Sequence, residues 1–411
     1  MLSLRRKPKN VPDMPVKYHS IVTWERGHVR AAVLQLADGV AELFGVAVVP
    51  VHGVGTAVHP DLDRWTAGCE QALTQAEDMT VVANGRKVVP DYVTMSIPAT
   101  VTQGLPVVVS RRRKNAQENI SLEEMTALLE RGYRKAQDLV KLQVKDSDNE
   151  IVAGCLVEVS LDGHAVDSPI GLQGENLEAR LYFCLAPNEW IRALELIAQK
   201  LELTLTNILP EQFAYAASLT DSATLLLLFD EHQSITSMVR RGRLEWTHLV
   251  GIGERDIVAA VAETLSLQGQ QADALMRAYR ARQLREDIEL QLAHAFWIEL
   301  RKWMQSLGGG VLANVQDAPV PHRLYFVDMT RRMPEAILSL QTSYWGERLP
   351  FTRSPEITSL SVSSVRNVLD CTAQAADPGY LALRTVAYFV AQLYASGSDL
   401  ERTLMETIRW S

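Results

Sequence analysis

Nucleophilic, metal and phosphate chemistry each need particular residue types at particular spacings, and the chain offers little of any. Nine histidines are dispersed, and no pair at i, i+4 has a third ligand in view, so a zinc-type site has no support. His52 and His59 flank a loop and read as surface or capping residues. Four cysteines, Cys69, Cys155, Cys184 and Cys371, form no Cys-x-x-Cys pair, which suits buried thiols in a reducing compartment. There is no Gly-x-Ser-x-Gly elbow and no Cys–His arrangement to activate a nucleophile. Gly308-Gly309-Gly310 follows no strand and precedes no Lys-Ser/Thr, so it is expected to end a helix or mark a loop rather than cradle phosphate. Gly53-Val54-Gly55 and the stretch from Gly171 to Gly174 lack the required strand context as well. Enzyme chemistry has no visible carrier, and no catalytic or metal residue is expected.

The elements that would position any site come next. With 411 residues, 47% apolar and 22% charged, the chain is long enough for two to four subdomains and has the composition of a soluble globular protein. A net charge of -8 argues against nucleic-acid binding. No apolar run reaches the roughly 18 residues that a spanning helix needs. The start, with Arg5, Arg6, Lys7 and Lys9 but no apolar stretch after them, is not a secretory signal, so a cytoplasmic location is expected. Residues 1–16 read as a flexible basic arm.

Alternating apolar runs from Ser20 to Val51 give three strands with turns at Arg26-Gly27 and Asp38-Gly39. Leu62 to Met79 has helical spacing of Leu62, Trp65, Cys69, Leu73 and Ala76. Two strands follow between Asp91 and Ser110, then the charged run Arg111 to Lys114 as an exposed loop. Ser121 and Glu124 make a capping box for the next helix. Leu156, Val157, Val159 and Leu161 form a strand that turns at Asp162-Gly163; Arg180 to Leu185 is a further strand and Glu189 to Leu201 an amphipathic helix. Ser222 to Val239 gives strand, turn and strand, closed by Arg241-Gly242. Helices are expected at Ile257 to Leu267, at Gln271 to Arg285 and from Ala293 to the triple glycine. A strand starts at Arg323 and a closing helix at Tyr380.

The ordered set Asp162-Gly163, Val166, Pro169, Gly171-Leu172, Gly174, Leu177 and Ala179, then helix, short strand and a helix near Pro210, resembles the bacterial cell-division family FtsA. That resemblance implies an α/β, two-lobed actin-like fold (duplicated, ribonuclease H-like) with an SHS2-type inserted subdomain. It implies lobe 1 at 17–89 and 177–210, the insert at 90–176, and lobe 2 at 211–379 with a helical subdomain at about 253–310. A closing helix at 380–395 and a terminal tail or short helix at 396–411 complete the plan. The pattern Leu400, Leu404, Ile408 and Trp410 in that tail has mixed charge, which favours docking over membrane anchoring.

An actin-like ATPase holds nucleotide through two glycine-rich hairpin turns and a third glycine-rich loop, because a Cβ would collide with phosphate or forbid positive φ. On this resemblance the first turn, Asp-x-Gly-Thr/Ser in the family, falls at Thr23, Trp24, Glu25 and Arg26, so a carboxylate stands where phosphate should approach. The second places Leu228 at the acid and Asp230 and Glu231 at the glycines, or Asp230 at the acid if the match slips by two. The third falls at Asp328, Met329, Thr330, Arg331, Arg332, Met333, Pro334 and Glu335, where Met333-Pro334 fits and the glycines are missing. Met276 stands where the family places a lysine near the base.

The expectation is therefore a noncatalytic, FtsA-like scaffold of bacterial cell division that has lost ATP binding, a pseudo-ATPase with no cofactor. Its expected partners are a tubulin-like division filament or a membrane complex. Self-association and a weak peripheral contact at the inner face of the cell membrane stay open. One alternative is a pilus-assembly adaptor of the same fold that binds a membrane-protein peptide. Another is an active ATPase with rearranged loops, which would require ATP and magnesium.

Overall fold

A computed structural model describes residues 17–25, 27–51, 61–143, 148–267, 270–315, 318–342, 345 and 347–395. The arm at 1–16, Arg26, the loop holding His52, Gly53 to Gly55 and His59, and the tail at 396–411 lie outside the described residues. Two units emerge: one takes the chain up to Thr220, Arg240–Glu245 and the chain from Ser361, the other Asp221–Val239 and Trp246–Leu360.

In the first unit, β1 (Tyr18–Glu25), β2 (His28–Ala37) and β3 (Val40–Pro50) form the expected antiparallel meander. The helix α1 (Leu62–Asn84) runs past its expected end at Met79 and stops where Gly85, at φ 71°, returns its N–H to the Val81 carbonyl. β4 (Tyr92–Ile97) then pairs parallel to β1. A separate four-stranded sheet follows from β5 (Gln103–Arg112), β6 (Asn149–Leu161), β7 (His164–Val166) and β8 (Asn176–Pro187), in the order β5-β8-β6-β7. One face of it is covered by α2 (Leu122–Gln143) through Met125, Leu128, Leu129, Tyr133 and Ala136, an i, i+3/i+4 stripe. The chain returns through α3 (Asn188–Lys200), β9 (Thr204–Pro210), parallel to β4, and α4 (Glu211–Ala217).

The four-stranded sheet thus begins at Gln103 and ends at Pro187, not at 90 and 176. The strand at Tyr92–Ile97 belongs to the other sheet, since Ser20–Val22 pair with Val93–Met95. Near its edge two further expectations change. The Ser121 hydroxyl accepts the Glu124 N–H at 3.2 Å, but the Glu124 carboxylate takes the Arg113 guanidinium at 3.0 Å instead of closing a capping box. Arg113 also donates to the carbonyls of Gly174 and Glu118 at 2.9 Å. It is 7% exposed, so the Arg111 to Lys114 run is not simply a solvated loop; a buried guanidinium persists because every side of it is bonded.

The second unit opens with β10 (Thr224–Phe229) and most of β11 (Ser234–Arg240) and β12 (Arg243–Val250), joined by tight turns. Then come α5 (Glu254–Thr264), α6 (Gln270–Arg280), α7 (Glu286–Val315), β13 (Arg323–Asp328), α8 (Pro334–Leu340) and β14 (Glu356–Ser359). The triple glycine does not end α7, which continues to Val315. A Cβ on Gly310 would fall 2.0 Å from the His248 ring, so glycine serves close approach there rather than a stop. Phe229, Phe296, Trp303 and Phe326 centre the core of this unit.

The chain then rejoins the first unit: β15 (Val368–Asp370) pairs parallel to β3, and α9 (Leu381–Tyr394) packs on β1, β2, β3 and α4. These pairings end the second unit at Leu360 and start it at Asp221, against the expected 211–379. The sheets read β15-β3-β2-β1-β4-β9 and β12-β11-β10-β13-β14. Both carry one plan, three turn-linked strands and then two parallel to the first. In the first unit Trp65 links Trp24 and Trp190 at centroid distances of 5.0 and 4.8 Å, holding α1 and α3 to the sheet. Cys69 and Cys184 are buried, with the Cys184 thiol pushed up to about 12 by burial, whereas Cys371 is exposed, against expectation. Among the described residues no helix is long and apolar enough to cross a membrane.

Candidate functional site

The residues matched to nucleotide loops divide between the two units. In the first, Thr23 is fully buried inside β1, opposite Arg30, and Glu25 ends the strand. Glu25 receives the Arg30 Nε at 3.0 Å, and the Arg30 guanidinium lies 5.1 Å from the centroid of the Tyr380 ring. Both partners are largely removed from water, with side chains 9% and 15% exposed, so removing either would leave a poorly solvated charge. The carboxylate expected to repel phosphate is thus neutralised from within.

In the second unit Leu228 is an interior residue of β10, 1% exposed, and pairs with Ile235 and Val327, so it holds no acid position. Asp230 and Glu231 form the β10–β11 turn, closed by the Asp230 N–H on the Gln233 carbonyl at 2.9 Å. The turn is seated on the start of α5. The N–H of Glu254 donates to the Asp230 carbonyl at 2.9 Å and that of Arg255 to the Glu231 carbonyl at 2.8 Å. The Gly253 N–H goes to the Asp256 carboxylate, also at 2.9 Å. A Cβ on Gly253 would come within 2.4 Å of the Asp230 carbonyl oxygen, so this contact requires glycine. A helix start is otherwise a natural anion seat, and here its leading donors are committed to the protein's own oxygens.

The loop after β13 is committed more completely. The Met329 N–H donates to the Phe229 carbonyl at 2.9 Å. The Asp328 carboxylate then accepts four backbone N–H groups in succession, from Thr330, Arg331, Arg332 and Met333 at 2.9, 2.8, 3.1 and 3.1 Å. It also takes the Thr330 hydroxyl at 2.7 Å. Five consecutive amides of the loop that the resemblance matches to a nucleotide loop are therefore satisfied internally. Arg331 pays for the tight wrap with φ 56°, a left-handed geometry that glycine would adopt freely. Next to this loop, the Tyr279 hydroxyl donates to Glu335; burial first, then that carboxylate, push the phenol up, keeping it a donor. Met276 is 6% exposed within the apolar core and presents no charge.

Sequence inspection missed a partner loop. Asp370-Cys371-Thr372, which follows β15, repeats the Asp-x-Thr of Asp328-Met329-Thr330, and that repeated triplet at a strand end was the available signal. Among the described residues no group of three or more His, Cys, Asp or Glu is arranged to hold a metal ion. The backbone donors at the start of α5 and in the loop after β13 face protein oxygens.

No protein-family model and no curated protein matches the chain. Among solved structures it is similar to the PilM–PilN type IV pilus biogenesis complex, at 12% identity over 91% of this chain and 99% of that one, with a TM-score of 0.59. It is also similar to the ethanolamine utilization protein EutJ from Carboxydothermus hydrogenoformans, at 10% identity over 92% of each chain and a TM-score of 0.47. A third likeness, at 9% identity over 91% of this chain and 99% of the other with a TM-score of 0.49, is to a nucleotide-free diol dehydratase-reactivating factor. At such identities likeness speaks to fold alone. Together with the strand plan repeated in both units, the first of these similarities gives the chain an actin-like α/β fold.

Proposed function

We propose that the chain is a noncatalytic adaptor on an actin-like fold, binding a protein partner in a membrane-associated assembly without using ATP. The observation that carries this is the loop after β13, whose amides from Met329 to Met333 are already taken. Phosphate oxygens need such amides free, and a carboxylate in their midst repels them. The filled start of α5 adds to the same picture. In this reading the four-stranded sheet with α2 is the SHS2-type insert.

The likeness to a protein solved within a type IV pilus biogenesis complex supports a pilus-assembly adaptor, for which the partner we propose is a short peptide from a membrane subunit. The ordered residues from Asp162 to Pro210 support a division scaffold that reaches a tubulin-like filament. In either reading the chain would work in the cytoplasm at the inner face of the cell membrane. Pull-down with a purified tubulin-like division protein against a pilus-subunit peptide separates them. Isothermal titration with Mg-ATP tests the common premise. No binding heat is expected, and a dissociation constant in the low micromolar range would establish instead an ATPase with rearranged loops.

A further inference from the structure

Strand β5 is the open edge of the four-stranded sheet, paired with β8 on one side only. One bond tells which of its groups look outward. The Arg113 N–H donates to the Glu175 carbonyl at 2.8 Å, continuing the register in which Arg112 faces Asn176. Bonding alternates along an antiparallel strand, so Leu105, Val107, Val109 and Arg111 bond inward while Val108, Ser110 and Arg112 turn N–H and C=O outward. Pro106 falls in the outward set, where a missing N–H costs the sheet nothing.

Two outward carbonyls are covered from α2. Lys135 Nζ donates to the Val108 carbonyl at 2.8 Å and Arg131 to the Ser110 carbonyl at 3.3 Å. Their neighbours Arg134 and Lys141 pair with Glu130 and Asp138 on the helix itself, whereas these two aim their charge at the strand. Exposed Arg111 and Lys114 prolong the positive row, while Arg112 between them is paired with Glu175 at 2.6 Å. Residues 103–143 hold eight Lys and Arg against five Asp and Glu, in a chain of net charge -8.

We propose that β5 accepts an extended acidic segment of a partner protein as an added strand. The incoming strand takes the outward N–H groups of Val108 and Ser110 and donates to the carbonyls that Lys135 and Arg131 release. The released cations then meet its Asp or Glu side chains, and Val108, 45% exposed, supplies apolar contact. A neutral or basic strand would break two charge-assisted bonds and replace them with neutral ones, so the edge selects for acid. This rests on the adaptor reading and names what the partner offers. Mg-ATP titration reports on the loops and peptide titration on β5, so either can fail alone.

The test is fluorescence anisotropy of the full chain with a labelled peptide of about ten residues alternating Val and Glu, and with its Val–Lys counterpart. The acidic peptide binds and the basic one does not. Val108→Pro, which removes an outward N–H, and the double variant Arg131→Glu/Lys135→Glu each weaken binding about ten-fold or more, with unchanged circular dichroism. No binding of the acidic peptide, equal binding of the basic one, or full-strength binding by Val108→Pro overturns the assignment. So does capture of phosphatidylglycerol vesicles, without peptide binding, that the charge-reversed variant abolishes, which would give this face to a membrane.

Discussion

The loops after β13 and β15 begin alike and finish differently. Each starts with Asp-x-Thr at the end of a parallel strand, and each reaches a left-handed residue at the same point, Arg331 at φ 56° and Ala373 at φ 57°. Asp328 gathers the amides of Thr330, Arg331, Arg332 and Met333, whereas Asp370 gathers those of Thr372 and Ala375, at 2.9 Å each. Both threonines also accept the amide two residues on, Arg332 N–H at 3.2 Å and Gln374 N–H at 3.1 Å, and the second loop is helped from elsewhere, where Arg384 donates to the Val368 carbonyl at 2.8 Å. The comparison teaches that an aspartate at a strand end organises such a loop by itself, doing for the backbone what a bound anion does in a nucleotide site. Where the carboxylate gathers more donors, the loop depends on it more.

The sharpest way to break that account is to delete each carboxylate. Asp328→Ala is expected to lower stability by about 3 kcal/mol in urea unfolding, because several amides lose a charged acceptor at once. Asp370→Ala is expected to cost about half as much, roughly 1.5 kcal/mol; an equal or larger loss would show that donor number is not what separates the loops. The hydroxyls are the shared part. Thr330 and Thr372 donate to their aspartates at 2.7 and 2.6 Å, so Thr→Val at either position should cost about 1 kcal/mol, and equally.

Smaller still is the backbone effect. Arg331→Gly and Ala373→Gly relieve the left-handed geometry and are expected to raise stability in urea unfolding slightly, by about 0.5 kcal/mol each. A third aspartate, exposed Asp162, gives the pH arm. The N–H of Asn176 first, and of Glu175 next, hold its carboxyl below the usual aspartate range. A carboxylate lowered on folding stabilises above its unfolded value of about 3.9 and stops doing so as pH falls through the folded value. The melting midpoint is therefore expected to decline on acidification below about pH 4, and Asp162→Asn should flatten that part of the profile.

Much of the fold was legible because it is written in local patterns. The meander from Ser20 to Val51 alternates cleanly, and the turn at Asp38-Gly39 names itself, with both residues at positive φ. What was not legible is pairing between distant segments. Nothing in Tyr92–Ile97 says that it will lie beside β1 rather than β5, and Val368–Asp370 is too short for any period, yet it joins β3. At the candidate site the absence of glycine was plain from the residues. The reason the loops keep their shape was not, because it lies in bonds between Asp328 and amides that every residue possesses. Arg113 shows the same limit: its run of like charges suggests solvent, and only the fold brings Glu124 and two carbonyls around it.

The passage of α7 through its glycines has a consequence for how the second unit melts. Each glycine in a helix interior costs about 1 kcal/mol relative to alanine, so the turns beyond Gly308 persist through what Val311 and Val315 bury rather than through helical preference. Fraying on warming will begin at that far end, ahead of the length anchored by Phe296 and Trp303. Amide protons from Leu312 to Val315 will accordingly exchange with solvent sooner than those from Leu300 to Leu307.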